Sequence, residues 1–237
     1  MTMPLEGLRV VDWTIWQQGP VCSAMLGDMG AEVLKIEEPV HGDDTRAWEP
    51  FQDGVSTFFL GMNRSKKSVA LDLKVPEGAE ALRRLIRTAD VLIENFRPGT
   101  MERWNLGYET LRKINPRLIM VRVSGYGQTG PYSARAGYGA IGEAMGGLRY
   151  VVGDPSTPPS RMGISIGDEL AATYACIGAL MALHHRQTSG EGQVVDSAIY
   201  EAVLAMMEST VSEYDVAGYV RERTGATLPN VSPSNVF

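Results

Sequence analysis

The stretch LRVVDWTIWQQGPVCSAMLGDMGAEVLKIEE (8–38) decides the fold. Its two ends, LRVVDWT and EVLKIEE, are short runs rich in β-branched and other apolar residues, as strands require. Between them GPVCSAMLGDMGA (19–31) reads as a helix, with Pro20 at its first position and Gly30 at its stop. Strand, helix and strand in so short a span is the parallel βαβ unit. The pattern then recurs. After a polar loop to Gly54, SVALDLK (68–74) alternates like a half-buried strand. A helix opens at Pro76-Glu77 with Leu82, Leu85 and Ile86 on one face and Arg83, Arg84 and Arg87 in solvent. ADVLIENF (89–96) and LIMVRVS (118–124) are strands on either side of a helix over 100–114. Helices over 138–148, 168–186 and 200–217 follow, with a strand at 192–199. Such alternation predicts an α/β fold around a mostly parallel sheet. One large domain is expected over 1–217. The Pro/Asn-rich stretch 218–237 is expected to be a linker, or the start of a smaller second domain largely missing from this chain.

Composition narrows the function. The chain has 237 residues, 44% hydrophobic and 21% charged, enough for a sizeable core. Its net charge of -6 argues against a general nucleic-acid surface or a polybasic membrane anchor, but leaves room for a local basic pocket. The N-terminus has no signal-peptide pattern. The most apolar run, Leu170 to Leu183, is too short to span a bilayer and reads as a core helix. Cys22 and Cys176 lie in no metal or redox pattern, which suits a cytoplasmic protein with buried thiols. No metal-ligand pattern is present either, and His184-His185 reads as the end of a helix.

Two glycine motifs, SGYGQTG (124–130) and GYGAIG (137–142), contain G-x-G-x-x-G. The spacing alone would suggest a dinucleotide site. The context fails, because Gly130 runs into PYSARAG rather than into a helix that could hold a pyrophosphate. These glycines read instead as loops over a pocket, where backbone comes close to a ligand. Asp168, at the mouth of the apolar segment, has two readings: a helix cap or a chemical group.

PLEGLRVVDWT with QQGP, then AEVLKIEE, GDDTR, NRSKKSVALDLK, ADVLIENFRPG, SGYGQTGPY and GISIGDELAATYACIGALMALHHRQTSGEGQVVDSAIYEAV, occur in that order. Together they resemble the family III CoA-transferases, which include formyl-CoA transferase, carnitine CoA-transferases and, on the same scaffold, α-methylacyl-CoA racemase. The resemblance implies a Rossmann-like large domain, an interlocked homodimer, and coenzyme A as a substrate with no metal. It implies a carboxylate nucleophile at Asp168 and Gln17 beside the acyl group. It places CoA contacts at Asn95, Phe96 and Arg103, and Tyr138 at the thioester end. Arg97, with Arg64, Lys66 and Lys67, is a candidate for the CoA phosphates by charge and position, and Trp48 for lining the acyl site. The chain departs from formyl-CoA transferase in having Gly139 where that enzyme has a glutamate, Glu38 where it has an arginine, and no glycine-rich C-terminal loop.

The chemistry agrees with the resemblance. Moving CoA between two acids needs a group that can hold an acyl unit and then CoA itself. An aspartate can form an anhydride with the one and a thioester with the other, splitting the transfer into near-isoenergetic steps. Such a carboxylate should be ionised, not deeply desolvated, and supported by the amides and dipole of a helix start. The implied partners are therefore an acyl-CoA and a free carboxylic acid. Two alternatives remain: a racemase, which needs a base better than a tyrosine at Tyr138, and a non-catalytic CoA-binding subunit.

Overall fold

The computed structural model describes residues 2–229 and 231–235. Among them, six strands form one parallel sheet in the order β5-β2-β1-β6-β7-β8. They are β1 (Arg9–Trp13), β2 (Glu32–Glu37), β5 (Lys67–Ala70), β6 (Val91–Glu94), β7 (Ile119–Ser124) and β8 (Val194–Ala198). A small hairpin, β3 (Phe51–Gln52) and β4 (Val55–Ser56), stands apart, so the main strands follow the Rossmann order 3-2-1-4-5-6. Val10 of β1 sits opposite both Val33 and Val91, so the central strand is apolar on both sides. The chain reverses direction across the sheet between β1 and β6, and the crevice outside their C-terminal ends is where such folds bind ligands.

Helices cover both faces. On one lie α1 (Gln18–Asp28) and α8 (Ile166–Ser189), with Cys22, Leu26, Ala175 and Ala179 in the core they share with Val10, Ile93 and Val121. On the other lies α3 (Pro76–Ile86), whose Leu82 and Ile86 meet Val11, Leu92 and Met120. The remaining helices are short: α2 (Thr57–Asn63), α4 (Thr100–Arg103), α5 (Tyr108–Leu111), α6 (Gly139–Met145), α7 (Leu148–Val151), α9 (Ile199–Ala205) and α10 (Thr210–Ala217).

Three predicted helices are broken. The one over 100–114 divides into α4 and α5 where Asn105 takes a left-handed conformation, φ 54°, and Leu106 turns into the core. The one over 138–148 stops at α6 because Gly147 has φ 90°, and the one over 200–217 is interrupted at Glu208, φ 51°. Apolar periodicity continued through these positions, and backbone handedness is what interrupts it. The helix predicted over 168–186 is longer, at 24 residues, and, expected as a core helix, is buried along one face only. Its alanine face is buried, while Ile177, Leu180 and Met181 are exposed. Its length and apolarity would suffice to cross a membrane, yet its small residues lie on the sheet. At Gly178 a Cβ would come 2.6 Å from Val195 of β8, so helix and strand approach closely along this face.

Candidate active site

The β1–α1 turn comes first. Asn95, just past β6, uses its whole amide on the backbone of Ile15: Ile15 N donates to Oδ1 at 3.0 Å and Nδ2 donates to Ile15 O at 2.7 Å. This latch helps hold Trp16 in a left-handed conformation, φ 69°, an uncommon backbone state for a bulky residue. The indole N–H of Trp16 donates to Asp44 at 2.9 Å, and its ring lies 5.9 Å from that of Tyr138. Gln17 follows, and its Nε2 donates to Glu169 at 2.7 Å.

A cleft opens at the switch point. Ile15, Trp16, Asn95, Phe96, Arg97, Ser124 and Tyr138 are among its walls. Four predicted residues, Asn95, Phe96, Arg97 and Tyr138, are thereby brought together. Gln17 lies between the wall residues Trp16 and Gln18. The two glycine-rich loops meet here backbone to backbone, since a Cβ on Gly125 would come 2.4 Å from Gly137 Cα. A second cleft shares Ile15 and Phe96 with the first and is lined by Trp13, Glu38, Lys74 and Trp104. Trp13 and Trp104 stack at 5.4 Å, with Phe96 edge-on to both. Arg103, next in sequence to Trp104 of this second cleft, is exposed and donates to Thr100 Oγ1 at 2.9 Å; it lines neither cavity.

Asp168 stands in the first turn of α8, two residues inside Ile166, and is half-buried. The helix cap is Ser165, and no side chain caps it, so the cap reading of Asp168 is not realised. Its carboxylate lies against α6: a Cβ on Gly139, the residue after Tyr138, would come 2.4 Å from Oδ2. The glycine is therefore required for this approach. Burial, then the carboxylates of Glu143 and Glu169, push the Asp168 acid up to about 6, against a weaker pull from Arg161. Burial is thus the largest influence on a group expected not to be deeply desolvated, and it is still mostly ionised at neutral pH.

Other expectations changed. Lys66 is buried in an ion pair with Asp12 at 2.9 Å, Lys67 pairs with Glu32 at 2.7 Å, and Arg64 is held by Asp28. All three cations are engaged in ion pairs, Lys66 inside the fold and Lys67 and Arg64 at the surface, and line neither cleft. Trp48 packs on Phe58 at 5.2 Å. Trp16, Glu143 and Arg161 were not singled out from sequence; each reads there as ordinary helix or loop. Among the described residues no group of three His, Cys, Asp or Glu could hold a metal.

Comparison with known proteins gives a consistent result. The sequence model of CoA-transferase family III matches residues 5–237. A succinyl-CoA–D-citramalate CoA-transferase of Chloroflexus aurantiacus is 54% identical over 235 residues, which are 99% of this chain and 58% of that protein. The β subunit of a succinyl-CoA–L-malate CoA-transferase from the same organism is 46% identical, over 95% of this chain and 56% of its own length. A CAIB/BAIF family protein from Brucella suis has the same fold, with a TM-score of 0.94 at 37% identity, over 99% of this chain and 63% of that one. The chain thus spans little more than half the length of these relatives.

Proposed function

The chain belongs to CoA-transferase family III, and we propose that it moves CoA between an acyl-CoA and a free carboxylic acid with Asp168 as the covalent carrier. One observation carries this reading. A half-buried carboxylate, with no side-chain hydrogen bond among the described residues, is pressed on Gly139, the residue after Tyr138 of the cleft wall. A structural aspartate in that position would be paired.

In the first step an Asp168 oxygen attacks the acyl carbonyl carbon. The carbon–sulfur bond breaks and the negative charge passes to the CoA thiolate, leaving an acyl-aspartyl anhydride. The thiolate then attacks the aspartyl carbonyl, releasing the donor acid and forming an aspartyl-CoA thioester. The acceptor carboxylate reverses the two steps. Gln17, fixed by Glu169, would present its amide to the acyl group, and backbone amides at the start of α8 could stabilise developing oxyanion charge. CoA would lie along the two joined clefts, its adenine against Phe96 and the Trp13–Trp104 stack and its thiol end by Tyr138. Arg97 and Arg103, which make no ion pair among the described residues, would meet phosphates. The named substrates of the relatives support dicarboxylic acids as donor and acceptor. An interlocked homodimer fits the exposed Leu180, Met181, Val211 and Tyr214.

The test is intact mass after incubation with succinyl-CoA, with hydroxylamine as a trap. An adduct removed by hydroxylamine and never formed by Asp168→Ala supports the reading. CoA binding without any adduct would replace it with a binding role. Exchange of the α-proton with solvent deuterium, again without adduct, would replace it with racemisation.

A further inference from the structure

We propose that Glu143 is a positioning residue for Asp168, whose buried carboxylate holds charge repulsion against the free nucleophile and releases it on acylation. This rests on the covalent reading of Asp168. Gly139 and Glu143 are four residues apart on α6 and so share a face. Gly139 touches Asp168, and a Cβ on Gly167, the neighbour of Asp168, would come 3.4 Å from Glu143 Cγ. The two α6 residues therefore flank consecutive residues at the head of α8.

Glu143 is only 1% exposed. Its Oε2 accepts from Arg149 Nε at 3.2 Å, and its Oε1 is buried with no hydrogen-bond partner among the described residues. A half-satisfied carboxylate costs stability, and an apolar side chain would fill the space more cheaply. Packing alone does not account for it.

The charges around Asp168 are unbalanced. Its own helix supplies Glu169, tied to the neutral Gln17. α6 supplies Glu143, and α7 supplies Arg149, which faces Glu143 through a single long contact. The preceding loop supplies Arg161, which donates to Ser165 Oγ at 3.3 Å and forms no ion pair with Asp168. From α9 the group near Gly167 is the apolar Ile199. Two carboxylates thus stand around Asp168 against one cation that makes no ion pair with it, and together with burial, the larger cause, they raise its pKa. When Asp168 attacks, its charge leaves for the CoA sulfur and the repulsion from Glu143 falls. The free state is destabilised relative to the acylated one, which favours attack.

The test compares Glu143→Gln, Glu143→Asp and Arg149→Gln with the unaltered chain. The first readout is the ¹³C carboxyl titration of Asp168, assigned by its disappearance in Asp168→Asn. Glu143→Gln should lower the midpoint by about 1 pH unit, and Glu143→Asp should leave it near that of the unaltered chain. The second is the ratio of adduct to free protein at pH 7.5 with a fixed succinyl-CoA to CoA ratio. Glu143→Gln should lower it about tenfold. An unchanged midpoint in a folded Glu143→Gln, or an undiminished adduct ratio despite a lowered midpoint, overturns the proposal. If Glu143→Gln does not fold, Arg149→Gln decides: removing that cation should raise the midpoint, and no rise overturns it. A chain that forms no adduct at all would sink the transfer reading, while the titration still judges the coupling between the two carboxylates.

Discussion

Asp12 and Asp168 are the same residue in two settings of opposite electrical balance. Asp12, on β1, is fully buried, yet it accepts from Ser23 at 2.6 Å and from Thr14, and pairs with Lys66 at 2.9 Å. Lys66 also donates to Pro20 O and Asn63 Oδ1, and nearby Lys35 pairs with Asp43. Against a large burial penalty, these partners hold the Asp12 carboxyl well below the usual range. Asp168 is less buried, but its carboxylate has no hydrogen bond among the described residues and two carboxylate neighbours; burial first, and then these neighbours, raise its pKa. Burial therefore does not set the behaviour of a carboxylate by itself; the partners supplied with the burial do. The matched cluster pins strand to helix, and the unmatched one leaves a carboxylate without a partner, as the proposed nucleophilic role requires.

Three substitutions would sharpen or break this contrast. Lys66→Ala leaves Asp12 buried without its cation and should cost about 3–5 kcal/mol, read by denaturant unfolding. A loss under 1 kcal/mol would show that the cluster is not matched in the sense argued. Gly139→Ala drives a methyl into Asp168 Oδ2 and should slow adduct formation about 10- to 100-fold. Its unfolding midpoint should move far less than that of Lys66→Ala, and equal rates in the two chains would contradict the close contact. Asp168→Asn should raise stability at pH 7.5 by about 1–2 kcal/mol. The sign follows from the raised acid: the folded chain holds a proton that the unfolded chain releases between about pH 4 and 6, so stability falls as pH rises through that window. The gain from Asp168→Asn should accordingly vanish below about pH 4. A gain that persists there would assign it to packing instead of charge.

The fold was largely legible because strand and helix periods are local. The first βαβ unit needs only the apolar runs of 8–14 and 32–38 with a helix between them. What failed was local in another way. Asn105 and Glu208 take left-handed conformations that no apolar pattern announces. The candidate site was legible through ordered resemblance, which brought Asp168, Gln17, Asn95, Phe96 and Tyr138 to attention; of these Asn95, Phe96 and Tyr138 line one cleft, and Asp168 lies against Gly139, the residue after Tyr138. Cations chosen by charge alone fared worse: Arg64, Lys66 and Lys67 are each held by a carboxylate distant in sequence.

The sequence by itself thus determined the parallel α/β sheet, the family, and the identity of the carboxylate at the head of α8, because periodicity and motif order are carried along the chain. Only the tertiary structure decided the electrostatic state of that carboxylate. Glu143 is twenty-five positions from Asp168, and in sequence it is one more polar residue on a short helix. It becomes a neighbouring charge when α6 packs on α8 through Gly139 and Gly167, whose missing side chains let the helices close. A Coulomb interaction depends on distance in space and on the medium between the charges, and neither is written along the chain.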